Sequence, residues 1–171
     1  MDVRFENFLG RELVLPDDRS YDPTEGLWIK REDGGRLAIG MTEPTVLMAG
    51  TVREVELLVE HGSKVSKGET VILVLTAKLK YIAAPISGTL SFPKDLDPLP
   101  EKIVEDPYGT TLFHITSEKD EIGKFLDASG YASALRDSDG ARNPGGHKGG
   151  VSPTCKAVYM AIGEQNITKS D

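Results

Sequence analysis

A mainly β fold of short strands and tight turns is predicted by three features of this sequence. Glycine and proline are plentiful, 18 and 10 of 171 residues, aromatic residues are only 6%, and apolar residues come in short runs that end at turn-forming residues. With 39% hydrophobic and 27% charged positions, the chain can fill one modest core with appendages, and not two large ones.

Each element follows from local pattern. Residues 1–25 form a mixed lead-in, where Phe5, Phe8, Leu9, Leu13 and Leu15 are expected to pin a short helix or turn to the body; Pro16 and Pro23 stop any long helix. From Leu27 onward the chain reads strand, turn, strand: Leu27–Arg31, the turn Asp33-Gly34-Gly35, then Arg36–Met41, a hairpin. Val52, Val55 and Leu57 alternate with polar residues between Gly50 and the His61-Gly62 turn, and Gly68 precedes an apolar strand, Thr70–Leu75. Two further strands fall at residues 81–84, closed by Pro85, and at residues 88–92, closed by Pro93. A Pro-rich excursion over residues 95–100 leads to a last strand at 111–116.

Helical signals come afterwards. Ser117 suits an N-cap, with Glu118, Asp120 and Glu121 in the first turn and Ile122, Phe125 and Leu126 on one face. A second short helix from Ser129, using Tyr131, Ala134 and Leu135, closes the body near Arg136. Residues 137–150 are too polar and Gly-rich to pack and are expected to be a flexible linker. Residues 151–171 form a helical tail opened by Ser152-Pro153, with Val158, Tyr159 and Ile162 as a small apolar face that is unstable alone.

Charge and composition exclude several classes. Twenty Lys and Arg against 27 Asp and Glu give a net −7, and no window is basic enough for a nucleic-acid footprint. The longest aliphatic run, residues 71–75, is far too short to cross a bilayer, and the first residues carry no signal-peptide pattern, so a cytoplasmic protein without membrane partners is expected. Cys155 is the sole cysteine, which rules out an internal disulfide and is read as incidental rather than as a reactive thiol. His61, His114 and His147 lie too far apart for metal-ligand spacing, so no metal is expected. Ser87 has no His or acid at triad spacing, Gly34-Gly35 lacks the context of a phosphate loop, and Trp28 and Tyr108 read as packing residues.

The informative stretch is the connection Thr76-Ala77-Lys78-Leu79-Lys80 between two strands. A tight hairpin carries its tip clear of the body, so a lysine there offers an ε-amine that another enzyme can acylate. Lysine is also a common residue at solvated tips, and residue type alone leaves both readings open.

Several motifs then occur in order: Leu15-Pro16-Asp17-Asp18-Arg19-Ser20-Tyr21, Leu27-Trp28-Ile29-Lys30, Ala38-Ile39-Gly40-Met41-Thr42, Gly68-Glu69, Ala84-Pro85-Ile86-Ser87-Gly88 and Glu105-Asp106-Pro107-Tyr108-Gly109. Over residues 15–135 the chain resembles the glycine cleavage system H protein family and, more distantly, lipoyl and biotinyl carrier domains. The resemblance implies a barrel-sandwich hybrid of two antiparallel sheets with C-terminal helices, the carrier domain spanning residues 26–136. It further implies a non-catalytic carrier with lipoate in amide linkage to a lysine. That carrier receives an aminomethyl group after glycine decarboxylation, hands it to a transferase, and is reoxidised. Its partners would be a lipoylating enzyme, glycine decarboxylase, aminomethyltransferase and dihydrolipoyl dehydrogenase. The family's lysine lies ten positions after the glycine of the Gly-Glu pair, which is Lys78; counting back from Ala84-Pro85 lands on Ala77, one residue short, and Lys80 is the second candidate.

The sequence also departs from the family pattern. Leu75-Thr76-Ala77-Lys78 stands where the family usually has Glu-Ser-Val-Lys, with the Glu read by lipoylating enzymes. No His precedes Trp28, and Thr110-Thr111 replaces the usual Gly-Trp. These departures keep two alternatives open: an unmodified docking or regulatory subunit of the same fold, and a lipoyl carrier of another pathway. Glu54, Glu56 and Glu60 either steer basic docking faces or keep a solvated strand soluble.

Overall fold

The computed structural model describes residues 2–117, 119 and 121–142; the expected tail, His147 and Cys155 lie outside the described residues. The chain runs β1 (Val3–Phe8), β2 (Arg11–Leu15), β3 (Ser20–Asp22), β4 (Leu27–Arg31), β5 (Arg36–Met41), α1 (Glu43–Ala49), β6 (Glu54–Leu57), β7 (Lys64–Val65), β8 (Thr70–Leu75), β9 (Leu79–Ala83), β10 (Gly88–Ser91), α2 (Leu99–Glu105), β11 (Phe113–Thr116), α3 (Ala128–Leu135) and α4 (Asp139–Arg142). Six strands form one antiparallel sheet in the order β3-β4-β5-β11-β10-β7, and a second sheet has the order β6-β8-β9. β1 and β2 pair separately as an N-terminal hairpin.

Period-two patterning decides which residues meet. On β4, Leu27 and Ile29 join Leu37, Ile39 and Met41 of β5 in a core shared with Val55, Ile72, Val74 and Ile82 of the three-stranded sheet. The intervening Trp28 and Ala38 project to the opposite face, where Phe5, Phe8, Leu13, Leu15, Tyr21, Tyr131 and Leu135 form a second core. The six-stranded sheet is therefore covered on both faces: by the second sheet on one side, and by the N-terminal hairpin with α3 on the other. Gly40 is required here, because a Cβ at that position would overlap the Trp28 ring.

The Asp-Pro-Tyr-Gly motif fastens this outer layer. Asp106 accepts from the Gly109 N–H at 3.2 Å and caps a 3-10 turn, Pro107–Gly109. Trp28 Nε1 donates to the Pro107 carbonyl at 3.0 Å. The Arg19 guanidinium lies 4.6 Å from the Trp28 ring centroid and 5.5 Å from that of Tyr108, and donates to the Tyr108 carbonyl at 2.8 Å. Arg19 also pairs with Asp18 and holds that carboxyl below its ordinary range. Tyr21 stacks on Tyr131, with ring centroids 4.6 Å apart and planes within 3°. Burial drives the phenol pKa of both Tyr21 and Tyr108 upward. Trp28 and Tyr108 are packing residues, as expected.

Several elements differ from expectation. The lead-in is a β-hairpin rather than a helix or turn: Leu9 and Gly10 both take positive φ, 52° and 81°, which suits a two-residue turn between twisted strands. Two helices, α1 and α2, occupy segments that carry Pro44 and Pro100; each proline sits in the first turn, where its missing N–H costs nothing. Among the described residues no α-helix begins at Ser117, whose hydroxyl instead accepts from Lys119 N–H at 3.2 Å; a 3-10 turn, Ile122–Lys124, follows before α3. The helix foreseen from Ser129 is α3, capped by Asp127, whose carboxylate accepts from Gly130 N–H at 2.7 Å. Beyond Arg136, in residues expected to be linker, α4 sets Gly140 against the Phe8 ring, and Leu9 N–H donates to the Gly140 carbonyl at 2.9 Å.

Candidate functional site

β8 and β9 pair as a hairpin in which Leu75 faces Leu79, leaving Thr76, Ala77 and Lys78 as the tip. Thr76 is buried to 4% exposure, and its contacts hold the tip closed. Its N–H and hydroxyl both donate to the Lys78 carbonyl, at 2.8 and 2.9 Å, and its hydroxyl oxygen accepts from Lys78 N–H at 3.1 Å. Ala77, Lys78 and Leu79 are exposed. The lysine thus extends from a braced backbone.

The flanking motifs meet at the base of the hairpin. Gly68 N–H donates to the Ala84 carbonyl at 2.9 Å, and Ala84 N–H donates to the Glu69 carbonyl at 2.8 Å, so Gly68-Glu69 and Ala84-Pro85 are cross-strand partners. Gly68 has φ +90°, a conformation that L side chains rarely adopt. Glu25, from the β3–β4 turn, accepts from Ala83 N–H at 3.3 Å and ties β9 to the other sheet. Ser87 accepts from Lys67 N–H at 2.8 Å and ties the loop before Gly68 to the connection between β9 and β10. Pairing shifts by one residue between Thr70 and Ile72, so β8 carries one residue more than β9 over the same span. The two counts toward the lysine, forward from Gly68 and back from Ala84-Pro85, run along arms of unequal length.

Alternation separates the two candidate lysines. Lys80 pairs with Val74, a core residue, and shares its face of the sheet. Half-buried, Lys80 borders a cleft of about 290 Å³ that is also lined by Phe8, Glu25, Thr45 and Tyr131. Lys78 stands at the exposed end. The opposite face of the hairpin carries Leu79 and Tyr81, each 56% exposed. Sequence reading passed over Thr76 and this apolar pair, although the alternation of residues 79–83 carries the signal. Among the described residues there is no cluster of His, Cys, Asp and Glu able to hold a metal ion, and no helix is long and apolar enough to cross a membrane.

Comparison with known proteins places this architecture. Residues 19–138 match the family model described as glycine cleavage H-protein. A glycine cleavage system H protein of Pseudoalteromonas atlantica is 32% identical over 127 residues, covering 72% of this chain and 97% of that protein. A probable glycine cleavage system H protein of Pyrococcus abyssi is likewise 32% identical over 127 residues, covering 68% of this chain and 94% of its own. The crystal structure of a glycine cleavage system H protein from Mycobacterium marinum superposes with a TM-score of 0.61 at 31% identity, over 70% of this chain and 98% of that one.

Proposed function

This chain belongs to the glycine cleavage H-protein family, and on that premise we propose that it is the lipoyl carrier of a glycine cleavage system, with the cofactor in amide linkage to Lys78. The observation that carries the assignment is the braced tip: an exposed lysine whose backbone is fixed by the Thr76 bonds, on a hairpin whose base is clamped by Gly68-Glu69 and Ala84-Pro85. The residues fit a covalent arm, because acylation at the exposed tip displaces no core side chain. Lys80 fits less well, since its stem packs over the body beside the cleft.

Lys78 would hold the lipoyl group, which when bound would supply a redox-active disulfide at the end of a flexible arm. The chain's own residues present and tether. Amide formation removes the ammonium charge of Lys78, and the short rigid tip restricts the arm to a volume above the hairpin. This raises its effective concentration at any enzyme to which the body docks. The carrier does no bond chemistry itself. Glycine decarboxylase, aminomethyltransferase and dihydrolipoyl dehydrogenase are its partners in this reading, with a lipoylating enzyme upstream.

Incubation of the purified protein with a lipoate ligase, ATP and lipoate tests the assignment. Peptide mapping is expected to find the acyl increment on Lys78 in the wild type and in K80R, and none in K78R. Acylation that persists in K78R and moves to Lys80 keeps the carrier function and overturns the site.

A further inference from the structure

A second concavity lies apart from the carrier hairpin. It holds about 540 Å³, the size of a small-molecule site, and is bordered by residues of β5, β11, the end of β10 and α2. Among the described residues none of β8, β9 or the tip lines it, and it shares no residue with the cleft beside Lys80. Its floor is apolar: Phe92 and Leu99 are buried, and Pro93 and Pro98 are half-buried. Its rim is cationic. Arg36, Lys94 and Lys102 border it against one carboxylate, Asp95, in a chain whose net charge is −7. That carboxylate accepts from the Asp97 N–H at 3.1 Å, and neither lysine pairs with a carboxylate among the described residues.

The two imidazoles of this cleft have separate tasks. His61 Nδ1 accepts from Phe92 N–H at 3.1 Å, which leaves the ring proton on Nε2 as a donor. His114 Nδ1 accepts from the Arg36 guanidinium at 3.0 Å, while its Nε2 faces Glu32 at 3.3 Å. Burial, with the Arg36 charge, lowers the His114 pKa, so the ring is neutral and able to accept. Glu32 also lies 3.7 Å from Arg36 Nε. The guanidinium is thereby anchored in the wall, and His114 takes only one of its N–H groups. Thr110 is buried, with its hydroxyl 3.0 and 2.7 Å from the Lys102 and Asp106 carbonyls, which fixes the end of the helix that carries Lys102.

We propose that this cleft is a second binding site, for a small phosphate monoester with a flat or apolar body. The site is independent of acylation at Lys78. Chemical match selects the ligand class. A phosphate group presents its terminal oxygens to an arginine fork, two ammonium groups and an imidazole N–H, whereas a single carboxylate leaves most of these donors unmatched. The Phe92, Pro93, Pro98 and Leu99 floor covers the ligand's body. Solvated lysines are ordinary surface residues; the anchored arginine and the oriented imidazole distinguish this rim from a merely charged surface.

The test titrates the full chain with adenosine monophosphate at low ionic strength, read by calorimetry and by NMR shifts. Saturable binding is expected, with shifts at the His61, Phe92, Lys94 and Lys102 amides and none at Lys78. K94Q/K102Q and R36Q are each expected to raise Kd about tenfold or more, and added salt to weaken binding. Adenosine, which keeps the flat body without the phosphate, and inorganic phosphate, which lacks the body, are each expected to bind about tenfold more weakly. K64Q/K67Q removes the same charge outside the cleft and is expected to leave Kd within about twofold. Unfolding midpoints close to wild type show that the variants remain folded. Lack of saturation at millimolar nucleotide overturns the proposal, as does equal binding of adenosine or of inorganic phosphate, or equal weakening by K64Q/K67Q. A phosphoserine peptide that binds more tightly than the nucleotide and shifts the same amides gives the cleft to a protein partner, and also overturns it.

Discussion

Thr76 determines how Lys78 is offered, because one hydroxyl both accepts the Lys78 N–H and donates to the Lys78 carbonyl. In T76V, which keeps the volume and removes these bonds, hydrogen exchange at the Lys78 amide is expected to speed up about fivefold, the equivalent of one hydrogen bond of about 1 kcal/mol. Exchange equal to wild type contradicts the brace. His114 provides a second prediction at this scale. Burial, reinforced by the Arg36 guanidinium, lowers its pKa below the ordinary 6.5 and outweighs the opposing contact with Glu32. The folded state therefore binds this proton at lower pH than the unfolded chain does. Stability is complete above the unfolded value and declines as pH falls below about 6.5. Between pH 7.5 and 5.5 the wild-type unfolding midpoint is expected to drop, and the drop to be smaller in H114Q.

Short apolar runs bounded by turn residues were the most readable from sequence. The hairpin Leu27–Arg31 and Arg36–Met41 and the strand Thr70–Leu75 appear with the bounds that their apolar pattern and flanking glycines set. Helices α1 and α2 were not foreseen, because Pro44 and Pro100 signal interruption until their place in the first helical turn is known. The lead-in misled in the opposite way: Phe5, Phe8, Leu13 and Leu15 have a spacing that suits a helix stripe as well as two strands, and the left-handed pair Leu9-Gly10 settles it. Gly68 shows where turn chemistry and site coincide. No atom lies within 4 Å of a Cβ built there, so G68A tests backbone strain alone. It is expected to cost about 1–2 kcal/mol by urea unfolding. A neutral result places no strain at the hairpin base.

At the scale of the whole molecule, two cores share one sheet, and the second depends on the N-terminal hairpin. Phe8 is 1% exposed and covers Gly140, so F8A is expected to lower stability by about 3–5 kcal/mol while the β8–β9 hairpin stays intact. Composition alone did not foretell this outer layer. The run Asp139-Gly140-Ala141-Arg142 is polar and reads as linker, and its glycine packs because a ring from the other end of the described chain needs the space. The carrier hairpin was legible through the order of its flanking motifs, since Gly68-Glu69 and Ala84-Pro85 are partners across its base. The preference for Lys78 over Lys80 came from the forward count alone, and the backward count disagreed because β8 and β9 differ by one residue at a shift that no motif marks. The central claim is that this chain carries lipoate on Lys78. The most direct measurement is the intact mass of the protein isolated from its native, lipoate-replete cells, followed by peptide mapping. The account predicts a lipoyl increment confined to Lys78, and quantitative absence of any acyl group on the chain contradicts it.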